Sequence, residues 1–210
     1  MRKPTHPTVY LRLLAGAVLP AFRDAATLGR ALDGRPRPGW RELLLPRADD
    51  LQSEAVARGH TGLGFGMALR GAAILAARDS VAQAVLASAP DGVARFQIPE
   101  IGFDRWLELT AGGLRGGRGT PPGAADVTVC FPRYRTALAA LRQELDTMAA
   151  IGAGELVVTG VIPLADRLNV VLERMADYFP IPKAGPPPPH PARQPGRAQP
   201  ERAAPVAPSK

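Results

Sequence analysis

The spacing of hydrophobic residues alternates between helical and strand-like segments along the chain, and that order restricts the fold more than any single motif. From about Gly64, the residues Met67, Gly71, Ile74, Leu75, Ala82, Val85 and Leu86 recur three and four apart. This spacing predicts an amphipathic helix, ended by Pro90-Asp91-Gly92. Arg70, Arg78 and Asp79 within it forbid a membrane-spanning reading. The period then falls to two. Val93 to Ile98 places Phe96 and Ile98 on one face. Phe103 to Leu109 sets Phe103, Leu107 and Leu109 against Asp104, Trp106 and Glu108, and Asp126 to Phe131 aligns Val127, Val129 and Phe131. Between them, Gly112-Gly113 through Gly119 with Pro121-Pro122 reads as a loop containing a hairpin return.

Helical spacing returns from Arg133 to Ala150, with a stripe of Tyr134, Ala137, Leu138, Leu141, Leu145 and Met148. Glu155 to Gly160 reads as a short buried strand. Pro163 suits the first turn of a last helix, whose stripe is Leu164, Leu168, Val171, Leu172, Met175 and Phe179, stopped by Pro180 and Pro182. Consecutive strands imply antiparallel pairing, and helices grouped beside them imply an α+β fold with one sheet face covered.

The flanks differ from this middle. From Lys183 onward the chain is rich in proline, including Pro186 to Pro189 in a row, which favours a disordered, extended tail. At the other end, Thr8 to Phe22 is an apolar run behind Arg2 and Lys3, interrupted by Arg12 and Pro20. It reads as an amphipathic helix with a basic edge. Docking on the domain is favoured over lying on a membrane surface. A secretory leader is disfavoured, because Arg23-Asp24 follows without a small-x-small cleavage site. Arg35 to Gly39 breaks the chain, and Trp40 to Arg58 is a poorly patterned connector. The organisation expected is therefore residues 1–60 as helix and connector, 61–182 as the folded domain, and 183–210 as tail.

Charge follows the same division. The formal net charge is +7, yet residues 1–50 carry nine basic against five acidic side chains and residues 183–210 carry five against one. Residues 51–182 carry twelve against thirteen. A neutral middle lacks the basic stripe of a specific nucleic-acid binder. The basic flanks allow peripheral contact with an anionic membrane, and residues 1–60 are the natural place for a protein partner.

The chemistry available is sparse. Lys3, Lys183 and Lys210 are the lysines, so the middle offers none for a phosphate loop, a Schiff base or a Ser-Lys dyad. A Ser-His-Asp triad would need His60 with Ser53, Ser80 or Ser88, and no G-x-S-x-G turn is present. Cys130, on a strand with no histidine or lysine near it in sequence, reads as a small packed residue. One cysteine excludes an internal disulfide and suits a reducing, cytoplasmic setting. Asp104 with Glu108, and Glu173 with Asp177, fall on solvated faces. The glycines at 62, 64 and 66 and those at 112–119 read as turn glycines without phosphate-loop context. No catalytic group, metal site or cofactor motif is evident, and a non-enzymatic protein is expected.

Residues 126–179 resemble one known family. Ala125-Asp126-Val127-Thr128-Val129-Cys130-Phe131, a helix, the run Met148 to Gly160 and the segment Leu164 to Met175 are similar to the sterol carrier protein 2-like (SCP2) domain. Gly154, Leu156, Val158 and Gly160 fall on that family's G-x-L-x-V-x-G spacing, with Asp126 leading the earlier strand. The resemblance spans about residues 65–180. Val161-Ile162-Pro163 departs from it, since members often carry a polar turn there.

The resemblance implies a five-stranded, mostly antiparallel sheet with helices over one face and an apolar tunnel between the layers. It implies binding or transfer of a sterol, fatty acyl chain, phospholipid or isoprenoid quinone. The residues then expected to line the tunnel are Leu141, Leu145, Met148, Leu168, Val171, Leu172 and Met175. The alternative is an accessory or scaffold subunit of a lipid or ubiquinone biosynthesis complex, with its cavity filled by side chains and no ligand of its own.

Overall fold

The computed structural model describes residues 46–47 and 49–178. The apolar segment at 8–22, residues 40–45 and 48 of the connector, Phe179 and the proline-rich tail lie outside the described residues. After a short 3-10 turn at Asp50–Gln52 come α1 (Glu54–Arg78), α2 (Ser80–Leu86), β1 (Gly92–Ile98), β2 (Phe103–Thr110), β3 (Gly113–Arg118) and β4 (Val127–Cys130). The chain continues through α3 (Tyr134–Leu141), α4 (Thr147–Gly152), β5 (Val157–Gly160) and α5 (Ile162–Tyr178). Among the described residues, no helix is long and apolar enough to cross a membrane.

The five strands form one sheet in the order β3-β2-β1-β4-β5. β1–β2, β2–β3 and β4–β5 pair antiparallel, but β4 returns parallel to β1. Adjacency in sequence predicts antiparallel hairpins only where a short turn joins the strands. Between β1 and β4 lies the whole β2–β3 hairpin, so that connection reverses direction twice. Asp126 fixes the junction: its Oδ2 accepts the Val93 N–H at 2.7 Å, and its own N–H donates to Val93 O at 2.8 Å.

Alternation in the strands gives the sheet two unlike faces. Ala94, Phe96, Ile98, Phe103, Leu107, Leu109 and Val127 are buried on the side that carries the helices. On the other face the Arg95 guanidinium grips the Asp104 carboxylate through Nε at 2.9 Å and Nη2 at 2.6 Å. Asp104 and Glu108 thus stand on this helix-free face as partly exposed ion-pair partners, Glu108 with Arg115 through its Nε alone. α1 supplies the centre of the core. Phe65 packs edge-on against Phe103 (5.9 Å between centroids) and Phe131 (5.4 Å).

Several elements depart from the periodicity reading. α1 begins at Glu54, inside the expected connector, and runs across the 60/61 boundary. His60 is consequently a buried helix residue (1% exposed) rather than a connector side chain. The long first helix is two helices, because Asp79 is extended (φ −99°, ψ 120°) and its Oδ1 caps α2 by accepting the Ala82 N–H at 2.9 Å. The glycine segment at 113–118 is a strand, not a loop. The two-residue turn Ala111-Gly112 joins β2 to it, and a Cβ on Gly117 would overlap the Trp106 indole lying across the strand.

The expected helix from Arg133 to Ala150 is likewise two. Gln143 adopts a left-handed φ of 58°, while Glu144 N–H reaches Ala139 O at 2.9 Å and Gln143 N–H reaches Ala140 O at 3.0 Å. Those bonds are a Schellman stop with glutamine at the usual glycine position. Asp146 then caps α4 by accepting the Ala149 N–H at 3.0 Å. The last strand is Val157–Gly160 at the sheet edge, and Val157 is 41% exposed, so it is not a buried strand. α5 opens at Ile162, one residue before Pro163.

Candidate functional site

Splitting the 133–150 segment opens a cavity of about 400 Å³ between the helices and the β4–β5 side of the sheet. α1 contributes Gly64, Phe65, Met67 and Ala68, and the sheet contributes Phe96, Val129 and Val158, with Phe131 just beyond β4. Ala140, Leu141, Leu145, Met148, Ile151 and Leu156 line a second side, and Ile162, Ala165, Leu172 and Met175 of α5 a third. Phe65, Phe96, Phe131, Leu156 and Met175 are buried and form the interior. Exposed Met148 (77%), Ile151 (43%) and Ile162 (52%) form part of an opening to solvent. Gln143, Thr147, Asp166, Asn169 and Glu173 are also exposed and complete it.

The lining is therefore hydrocarbon inside and mixed at the mouth. A volume of this size lies within the range of about 300–1,000 Å³ typical of small-molecule sites. Its depth comes from small residues: Gly64, Ala68, Ala140 and Ala165 stand where larger side chains would close it.

Leu141, Leu145, Met148, Leu172 and Met175, expected along a tunnel, all line this cavity. Leu168 and Val171 do not. Leu168 is fully buried in the core, and Val171 faces a smaller cleft of about 310 Å³ between α2 and α5. Both belong to the α5 stripe, but the stripe is wider than the cavity, and only its Leu172–Met175 side reaches it. The residues expected along the tunnel all lie within 141–175 and so omit α1, which supplies one whole side. Met67 was legible as part of the first helical stripe, while nothing in the spacing there marked Met67, Phe65 or Ala68 as cavity-facing. Glu173, expected on a solvated face, is exposed and stands at the mouth; the Asp177 side chain lies outside the described residues.

The serine and histidine candidates are scattered. Ser53 precedes α1, Ser80 opens α2, and the Ser88 hydroxyl donates to Val85 O at 2.9 Å. Cys130 lies on β4, half-buried on the face away from the cavity, and burial pushes its thiol pKa up.

The arrangement is the one the SCP2 resemblance implies: five strands, mostly antiparallel, helices over one face, and a cavity between the layers. The fold is α+β and SCP2-like. Solved structures similar to it include one described as "UbiJ-SCP2 Ubiquinone synthesis protein", 22% identical over 48% of this chain and 84% of that one, with a TM-score of 0.39. The sterol carrier protein domain 2 of Helicoverpa armigera is 14% identical, covering 57% of this chain and 92% of that one, TM-score 0.40. The SCP2-like 2 protein of Aedes aegypti is 19% identical, covering 43% and 89%, TM-score 0.31. No protein-family model matches the chain, and neither does any curated protein.

Proposed function

We propose that this protein binds the hydrocarbon part of a lipid, or of another hydrophobic small molecule, in the cavity lined by Phe65, Leu141, Leu145, Leu172 and Met175, and carries it without chemical change. The observation that carries the reading is an open cavity of about 400 Å³ whose buried lining residues are all apolar. Leaving such a surface in contact with water is unfavourable, and each methylene of a ligand moved into it contributes about 0.8 kcal/mol. Carriage of this kind needs no nucleophile or general base. Sterols, fatty acyl chains, phospholipids and isoprenoid quinones all present a suitable chain. The scaffold alternative requires side chains to fill the space, and the open cavity counts against it.

Native mass spectrometry of protein purified from cells, followed by solvent extraction, tests the reading. A co-purifying hydrophobic molecule, exchangeable for a neutral fluorescent probe such as N-phenyl-1-naphthylamine, is the expected result. Ligand-free protein that takes up no probe would overturn it.

A further inference from the structure

We infer that the cavity mouth selects head groups that donate hydrogen bonds and carry no negative charge, namely alcohol, phenol or ammonium, over carboxylate or phosphate. This rests on the reading of the cavity as a lipid site. Two charged side chains line the cavity, Asp166 and Glu173, and both are carboxylates. With Asn169 they stand at i, i+3 and i+7 on α5, which places all three along one stripe of the helix. Asn169 Nδ2 donates to Glu173 Oε1 at 2.8 Å, holding that carboxylate in the stripe. Apolar Ala165, Leu172 and Met175 lie on the adjoining, less exposed side of the same helix. A chain seated on that apolar side therefore brings its head to the acidic stripe.

Across the mouth stand Gln143 and Thr147, which are neutral. Among the described residues, no arginine, lysine or histidine lines this cavity. Two nearby guanidiniums are engaged with other carboxylates: Arg174 reaches Asp79 at 3.3 Å, and Arg142 reaches Glu144 at 3.8 Å. An anionic head would meet two like charges with no cation lining the cavity. A hydroxyl or ammonium would find carboxylate, amide and hydroxyl acceptors.

The test displaces N-phenyl-1-naphthylamine from the full chain at pH 8 with dodecanol, laurate and dodecylammonium, which share one chain length. The same series is run on Glu173→Gln and on the double variant Asp166→Asn/Glu173→Gln. Both positions are exposed, so neutral isosteres keep the fold, as circular dichroism will verify. Comparing variant with wild type removes the intrinsic difference in hydrophobicity between the three ligands. The expected result is that laurate gains about tenfold relative to dodecanol in the double variant, and dodecylammonium loses by a similar factor. An unchanged laurate-to-dodecanol ratio, with the probe still bound, would overturn the head-group inference and leave the carrier reading standing. Failure of the wild type to bind the probe at all would overturn the carrier reading itself.

Discussion

The Tyr178 hydroxyl donates to Asp79 Oδ2 at 3.1 Å, joining the last described turn of α5 to the break between α1 and α2, 99 residues earlier. Asp79 is 8% exposed and serves three elements at once. Its N–H ends α1 on Leu75 O, its Oδ1 caps α2, and its Oδ2 receives Tyr178 and Arg174. Desolvation pushes the carboxyl pKa up, but the bonds from the Ala82 N–H and the Tyr178 hydroxyl, with the Arg174 charge, outweigh it and hold the group below its ordinary value.

That depression sets a pH dependence. A carboxyl more acidic in the folded chain contributes stability above its unfolded pKa of about 3.9, and that contribution is lost as pH falls through the lower folded value. Wild-type melting temperatures should therefore fall more steeply than those of Asp79→Asn as pH drops below about 4, the unfolded value. Parallel thermal melts across that range check it, and superimposable slopes would refute it. At pH 7, Asp79→Ala should cost about 2–4 kcal/mol, from the lost cap and the lost charged hydrogen bonds.

Gly160 combines a left-handed φ of 103° with a position directly against the β4 backbone. A Cβ there would overlap Asp126 O and come within 3.0 Å of Val127 Cα, neither of which is able to rotate away. Gly160→Ala should destabilise the domain by at least about 2 kcal/mol. Urea unfolding of the variant measures this, and a loss below about 0.5 kcal/mol would contradict the geometry.

Ala68 lines the cavity from α1 and is half-buried, so a larger residue there has room to grow into the space. Ala68→Phe should weaken N-phenyl-1-naphthylamine binding by tenfold or more, and the melting temperature should hold or rise. Undiminished probe binding in a folded variant would place the ligand elsewhere.

Burial raises the Cys130 thiol pKa, so the thiolate fraction at pH 8 is smaller than for a free cysteine. Alkylation by iodoacetamide should be slow at that pH and keep accelerating beyond pH 9. Denaturing the chain should bring the profile back to that of an ordinary thiol. A plateau near pH 8 in the native protein would count against a buried thiol.

What was legible in the sequence divides along physical lines. Strands β1, β2 and β4 alternate cleanly because one face is packed and the other wet. The stripe of α5 shows because that helix meets the core along defined positions, whereas α1 is buried on every side from Gly59 to Gly66 and the amphipathic pattern expected of it does not hold there. Elements whose state depends on partners were illegible. Gly116 and Gly117 look like loop residues until Trp106 lies across them and β2 supplies their hydrogen bonds. The break at Gln143 had a weak local signal in the capping residue Asp146, but the apolar stripe running through Leu145 masked it.

For the site, spacing identified apolar positions without saying which side of each would be filled. Leu168 and Leu172 occupy the same stripe, yet one is sealed in the core and the other faces open space. Local pattern alone determined an α+β domain, a neutral middle without catalytic signatures, and many of the core positions, though Met148 and Val157 stay exposed. Periodicity has that reach because hydrophobic spacing encodes a face, and a face is a property of one element. The parallel return of β4, the opening between α3 and α4, and the acidic stripe at the cavity mouth were decided only by tertiary structure. A void belongs to no single segment: it exists where several packed elements fail to meet, and no stretch of sequence records the distance between them.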